Sequence, residues 1–345
     1  MEKNFINLQP LDEEDLETWW LTIPGARRFL NAAFEAFSKK CAAITHLPES
    51  EVAGFIQALE GKIQRKDINS PVERFFYDGS SDIEDFIEAL TSEFAPNFLR
   101  NFTRPPMQDL AKQNPFSGYA AIIIRLGKKV DWLTDAVTEF NRSAKNFNAA
   151  LIFVTTEENP PPSIVRLEDY LTPYDVQFFA INFMENAPLS PKRKMYTSTL
   201  AEKLSGYSPE LVKNLARVEL YNHGLEFVQT LLPDFDERIY SRAVWECQVQ
   251  FLLPTLEQIR EQLILKSEHH WRYILPKQDE FGTIIEEPFD MELRHLHYYG
   301  SKHVPKIFQL DDWELLELAY NARNDLSHLK TIEFSELEKL FTLSE

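Results

Sequence analysis

The sequence predicts two domains of different class: an α/β parallel-sheet domain over residues 1–195 and an all-α bundle over residues 196–345. Three observations carry this prediction. The chain has 345 residues, more than a single hydrophobic core usually serves. Between about residues 40 and 185, short continuous apolar runs alternate with amphipathic segments, the pattern of a sheet covered by helices. Beyond about residue 195 the strand-like runs mostly stop and helical periodicity takes over.

In chain order, residues 27–37 read as a helix after a turn at Pro24-Gly25, with Phe29, Leu30, Ala33, Phe34 and Phe37 on one side. Trp19-Trp20, behind the acidic Asp12-Glu13-Glu14-Asp15, reads as part of a packed N-terminal helix. The strand candidates are Cys41 to Leu47, Val72 to Tyr77, Tyr119 to Ile124, Ala150 to Thr155 and Val176 to Ile181. Their unbroken apolar character suits strands buried on both faces of a parallel sheet. Between them Phe55, Ile56 and Leu59 share a helical face, as do Ile83, Phe86, Ile87 and Leu90, and Trp132, Leu133, Val137 and Phe140. Asn159-Pro160-Pro161-Pro162 is a stiff loop after the fourth strand. In the second half, helices are expected over residues 208–231, 236–267, 309–327 and 333–343. Ser208, Asp236 and Ser335 are their candidate N-caps, and Pro233 and Pro254 are bends or breaks. Residues 274–290, with Pro276, Gly282 and Pro288, read as a loop or short hairpin.

Composition narrows the function classes. Apolar residues are 44% and charged residues 26%, ordinary for a soluble globular protein. No apolar run is long enough to span a bilayer, and the start of the chain lacks a signal-peptide pattern. Cys41 and Cys247 are far apart, which fits a reducing, cytoplasmic setting better than a disulfide framework. The net charge of −18, from 54 acidic and 36 basic residues, argues against an extended DNA-binding surface. A local basic pocket for RNA, or a docking face for a basic protein, stays compatible with it.

The alternation of five strand candidates with helices resembles the core of STAND or AAA-type ATPases, a P-loop-NTPase-like domain. In that resemblance a Gly-rich loop with Lys and Ser/Thr follows the first strand and holds phosphate and Mg²⁺. Here the position reads His46-Leu47-Pro48-Glu49-Ser50-Glu51-Val52-Ala53-Gly54, with no Gly-Lys-Ser/Thr. Glu49 and Glu51 repel phosphate, and Pro48 removes a donor. The third strand, ending Ile124-Arg125-Leu126, lacks an acidic residue for Mg²⁺. Pro24-Gly25-Ala26-Arg27-Arg28 looks like a phosphate loop only superficially, because no strand precedes it. The expectation is a degenerate, nucleotide-free ATPase-like module lacking Walker motifs. A generic α/β domain without that ancestry fits the same pattern.

The strongest motif lies near the end: Arg323-Asn324-Asp325-Leu326-Ser327-His328. A His can transfer protons near neutral pH, an Arg can hold a phosphate and the charge developing on it, and an Asn can orient either. These are the parts of a metal-independent ribonuclease, in which the RNA 2′-OH is the nucleophile. The motif resembles that of HEPN domains, helical bundles whose ribonucleases carry Arg, often followed by Asn, and then His after four to six residues. Residues 313–322 form the expected preceding helix, residues 335–341 the closing helix, and Met291 to Tyr299 a flanking amphipathic helix. The resemblance implies a HEPN-like helical bundle over about residues 205–345, with Arg323, Asn324 and His328 as catalytic residues and RNA as substrate. It also implies a homodimer, protein partners in a bacterial anti-phage or stress-defence complex, and no metal or cofactor. Two other readings fit the same residues: a HEPN bundle used only as an adaptor, and cations placed at a helix C-terminus for its dipole.

Other clusters carry less. His269-His270 and His295, His297 and His303 do not share a helical face at zinc spacing, so they read as surface or partly buried imidazoles. Lys192, Arg193 and Lys194 form a basic cluster just after the sheet that reads as a solvated linker, with contact to RNA or an acidic partner as the alternative. No nucleophile elbow or paired-carboxylate signature supports a protease or glycosidase.

Overall fold

A computed structural model describes residues 8–79, 82–98, 106–145, 147–156, 164–279, 282–302 and 307–344. The loop expected at 159–162, residues 1–5 and His303 lie outside the described residues. The chain divides into two compact units, one of Leu8–Asn182 with Tyr207–Lys213 and one containing Phe183–Gly206 and Asn214–Glu345.

The first unit opens with α1 (Glu13–Glu17), a π-helical turn (Thr18–Thr22) and α2 (Pro24–Lys39). It continues through β1 (Ala42–His46), α3 (Glu49–Lys66), β2 (Val72–Tyr77), α4 (Ile83–Phe94) and α5 (Pro106–Gln113). Then come β3 (Ala121–Leu126), α6 (Leu133–Ser143), β4 (Ala150–Thr155), β5 (Val165–Arg166) and α7 (Pro173–Phe183). The strands form one sheet of order β2-β3-β4-β1-β5 in which every pairing is parallel. Register lines up Phe75, Ile124, Phe153 and Ile44 in one row across four strands. That row faces α4, α5 and α6, where Phe86 stacks near Phe153 at 5.8 Å. Because side chains alternate across a strand, Ile123, Ile152 and Val154 face the other way. Helices α2 and α3 pack beside the sheet, and Trp19 and Trp20, both fully buried, pack against Phe179, Phe29 and Phe55. Each such apolar side chain is stabilised by roughly 1.5–3 kcal/mol relative to exposure.

One strand assignment is corrected. Val176 to Ile181 belong to α7, and the fifth strand is the two-residue β5. A short apolar run does not separate strand from buried helix. What decides it is the start: Pro173 presets the helical φ, and Asp175 accepts from the Thr172 N–H (2.9 Å) and hydroxyl (2.7 Å). The Pro24-Gly25 turn is likewise the first turn of α2. The Gly25 N–H donates to Asp175 at 2.9 Å, and a Cβ on Gly25 would lie 2.6 Å from the Tyr170 carbonyl oxygen.

In the second unit α8 (Pro191–Ser205) is followed by α9 (Pro209–Leu215), which crosses the division between the units, and α10 (Val218–Leu231). The expected boundary at residues 195/196 falls inside α8. The single helix expected over 208–231 is therefore two, and α10 is itself kinked at Gly224, whose φ is 51°. Next come the 30-residue α11 (Glu237–Lys266), α12 (Glu268–Ile274) and a two-strand antiparallel hairpin of β6 (Lys277–Gln278) and β7 (Ile284–Ile285). The unit ends with α13 (Leu293–Lys302), α14 (Leu310–Ser327) and α15 (Phe334–Ser344). Asp236 caps α11 through the Arg238 N–H, and Pro254 sits within that helix without ending it. Ser335 is not a cap but the second residue of α15. Helix α11 is the spine: α8, α14, α15 and α12 all pack on it, and Cys247, Leu252, Leu256, Ile259 and Leu263 are buried along it.

Lys192, Arg193 and Lys194 are not a linker. They form the first turn of α8 and are tied down there. Lys192 donates to the Thr255 hydroxyl at 2.8 Å and Lys194 to the Glu185 carbonyl at 2.7 Å. Arg193 bridges Glu338, Thr342 and Tyr221. Among the described residues no helix is long and apolar enough to cross a membrane.

Candidate functional site

Two places merit attention: the carboxyl end of the sheet, and the last turn of α14. At the first, β1 ends at His46 and α3 begins at Glu49, so the helix N-terminus sits where a phosphate loop would stand. The chain has filled it with its own carboxyl groups. Glu49 and Glu51 occupy the first turn, where the helix dipole favours the Glu49 carboxylate. Glu49 pairs with Arg125 from the end of β3. Glu51 is 4% exposed, and burial followed by the nearby Glu210 carboxylate pushes its acid up to about 8. The N-terminus of α2, the other superficial phosphate loop, is taken by Asp175.

At the second place, α14 carries Arg323, Asn324 and the rest of the motif to Ser327, and His328 is its C-cap. The His328 N–H donates to the Asn324 carbonyl (3.1 Å) and the Asp325 carbonyl (3.0 Å), satisfying two of the last-turn acceptors. Leu329 then takes a left-handed conformation, φ 60°, and the Lys330 N–H returns to the Asp325 carbonyl at 2.9 Å. This stop fixes the motif at the surface. The Arg323 side chain is 46% exposed and the His328 ring is exposed, whereas Asn324 is half-buried.

The concavity that Arg323 lines does not include His328. Five positions on a helix turn through roughly 140°. Arg323 lines a concavity of about 520 Å³ with Glu257, Arg260, Asp290 and Glu292, its nearest carboxylate being Glu292 at 3.9 Å. An ion pair that loose and exposed contributes about 0–1 kcal/mol, so a phosphate can compete for the guanidinium. Arg260 in the same wall is fully engaged, by Glu257 and by the Phe289 and Met291 carbonyls.

The residues following His328 line a different concavity, of about 600 Å³. Ser241, Arg242 and Trp245 of α11 form one wall, and Leu329, Lys330 and Thr331 form the other. The Trp245 indole N–H donates to the Leu326 carbonyl at 2.9 Å, orienting its ring and satisfying another last-turn acceptor of α14. A buried amide clamp holds the second wall: Gln248 donates to the Ile332 carbonyl (2.9 Å) and accepts from the Ile332 N–H (2.7 Å). Sequence reading missed these residues. Ser241, Arg242 and Trp245 look like an ordinary amphipathic helix face, and only their opposition to residues 329–331 makes them a site.

The two histidines of α13 serve packing. His297 stacks between Tyr320 (4.4 Å) and Trp313 (5.1 Å), joining α13 to α14. His295 is buried, its Nδ1 accepting from the Glu292 N–H at 3.0 Å. His269 and His270 lie ring against ring at 3.8 Å. Among the described residues no group of three or more His, Cys, Asp or Glu is placed to hold a metal ion. No protein-family model matches the chain, and no curated protein matches it.

Proposed function

We propose that this chain is a metal-independent endoribonuclease of the HEPN type, acting as an effector in a bacterial anti-phage or stress-defence system. One observation carries the reading: Arg323 and His328 stand exposed at the end of α14 while the backbone, not their side chains, completes the helix stop. The cap itself does not need the imidazole, and the loose pair with Glu292 leaves the guanidinium available. In the reaction His328 takes the proton from the RNA 2′-OH or returns one to the leaving 5′-oxygen. The 2′-oxygen bonds to phosphorus as the bond to the 5′-oxygen breaks, leaving a 2′,3′-cyclic phosphate. Arg323 holds the charge growing on the phosphoryl oxygens, and Asn324 supports them. The offset between the two side chains within one chain favours a homodimer, in which His328 of one copy meets Arg323 of the other. Nothing in this chemistry calls for a metal or cofactor.

Incubation with RNA in EDTA tests it. Wild-type protein is expected to cleave, and His328→Ala and Arg323→Ala to lose roughly 10²–10⁴-fold in rate. Absence of cleavage, or equal cleavage by the variants, sinks the ribonuclease reading.

A non-catalytic adaptor that assembles with partner proteins is the second reading. It is favoured by the three carboxylates, Glu257, Asp290 and Glu292, that share the Arg323 concavity, and by the overall charge of −18. It predicts a stable hetero-complex and unchanged phage protection in His328→Ala cells.

A further inference from the structure

We propose that the concavity between α11 and residues 329–331 is the seat for a nucleotide of single-stranded RNA flanking the scissile bond, with Trp245 as the stacking platform and Arg242 and Lys330 as phosphate contacts. The choice of RNA as occupant rests on the ribonuclease reading; the concavity itself does not.

Three features of the wall point to this ligand. First, its charge is opposite to that of the molecule. In a protein of net charge −18, the lining of this concavity holds, among the described residues, two cations and no carboxylate. The Arg242 side chain is 81% exposed and, among the described residues, pairs through its Nε with Glu246, which also takes Lys203, so much of the guanidinium faces solvent. The Lys330 side chain is exposed and makes no ion pair among the described residues. By contrast, the concavity that holds Arg323 is lined by three carboxylates.

Second, the wall combines the groups that single-stranded nucleic acid uses. An aromatic ring takes the face of any base, cations follow the backbone, and the hydroxyls of Ser241 and Thr331 can meet a 2′-OH or a base edge. The volume of about 600 Å³ lies within the range of small-ligand sites.

Third, the concavity is preformed and correctly placed. The Trp245–Leu326 bond fixes one wall and the Gln248–Ile332 clamp fixes the other, so little ordering cost remains for binding. Leu329, the first residue of the second wall, directly follows His328 in the chain, so an RNA strand seated here passes the imidazole. An acidic peptide would satisfy the cations but leave the indole and hydroxyls without matched partners.

The test uses the full chain and a short fluorescein-labelled 2′-O-methyl oligouridylate, which lacks the attacking hydroxyl, read by anisotropy in EDTA. Wild type is expected to bind. The exposed-site variants Arg242→Glu and Lys330→Glu are expected to weaken binding at least severalfold each. Together they should lower the slope of log K against log salt by roughly 1–2, about 0.7 per phosphate contact removed for single strands. Trp245→Ala should lose roughly tenfold, while Trp245→Phe, which keeps a stacking ring, should lose less. No binding by wild type, binding unchanged in both charge reversals, or tighter binding of a labelled oligoglutamate peptide overturns the proposal. The two readings separate cleanly. RNA bound through these residues but never cleaved removes the ribonuclease and keeps the seat. Cleavage with an unaltered KM in Lys330→Glu and Arg242→Glu keeps the ribonuclease and removes the seat.

Discussion

The carboxyl end of the sheet and the last turn of α14 are both places where a fold can present charge to a ligand, and the chain treats them in opposite ways. Around the sheet, the N-termini of α2 and α3 are already answered by carboxylates, Asp175 for α2 and Glu49 for α3. Arg125, the nearby cation, is held by Glu49. At α14 the backbone carbonyls are satisfied by the His328 N–H, the Lys330 N–H and the Trp245 indole, so the side chains are left over. Internal neutralisation marks the first place as structural. Surplus cationic and titratable groups at the second are what the proposed function draws on.

The largest expected effect that would sharpen this contrast concerns Glu51. Its folded acid is raised from 4.5 to about 8, so its contribution is fully favourable below pH 4.5 and is lost progressively as pH climbs from there through about 8. Glu51→Gln should therefore change stability little near pH 4.5 and stabilise the protein by more than ~1 kcal/mol at pH 9, read as a Tm difference that widens with pH. A constant difference across that range would mean that the carboxylate is solvated and the sheet end open.

A smaller effect is expected at Arg193, which spans Glu338, Tyr221 and Thr342 within the helical unit. Its side chain is 14% exposed but that of Glu338 is 36% exposed, so solvent screening reduces the value of the pair. Arg193→Ala should cost about 1–2 kcal/mol in urea unfolding, with RNA cleavage unchanged. A loss of cleavage without a loss of stability would move function away from α14.

The smallest effect separates the two sides of the Arg323 concavity. Glu292→Gln should alter stability by less than ~1 kcal/mol, because the pair with Arg323 is long and exposed. Cleavage should rise a few-fold at low salt as a competing anion is removed. Unchanged cleavage would break the link between Arg323 and phosphate.

Much of the fold was legible in the sequence, for identifiable reasons. The runs in β1, β3 and β4 are largely apolar on both faces, and that is what a sheet buried between two helical layers demands, whereas the edge strand β2 carries Glu73 and Arg74 and leaves Arg74 and Phe76 exposed. The faces marked by Phe55, Phe86 and Phe140 reappear as α3, α4 and α6. The run at 176–181 misled because it is equally apolar and its helical start, Thr172-Pro173 with Asp175, was passed over. Lys192, Arg193 and Lys194 looked solvated because their partners lie far along the chain, at Thr255 and Glu338. The motif was legible as a string, but which concavity Arg323 lines depends on α13 and the turn before it, which the string does not show. The concavity beside it was not legible at all, since its two walls are joined only by tertiary hydrogen bonds.

The Gln248–Ile332 clamp has a further consequence, for how this surface can change over time. It grips main-chain groups of residue 332 and nothing of residues 329–331. Anchorage and recognition are thus assigned to different atoms. The side chains at Lys330 and Thr331 can be rewritten without disturbing what holds their backbone in place, whereas Leu329 is constrained by its left-handed φ of 60°, so the chemistry of this rim can drift at two positions while the bundle beneath it stays the same.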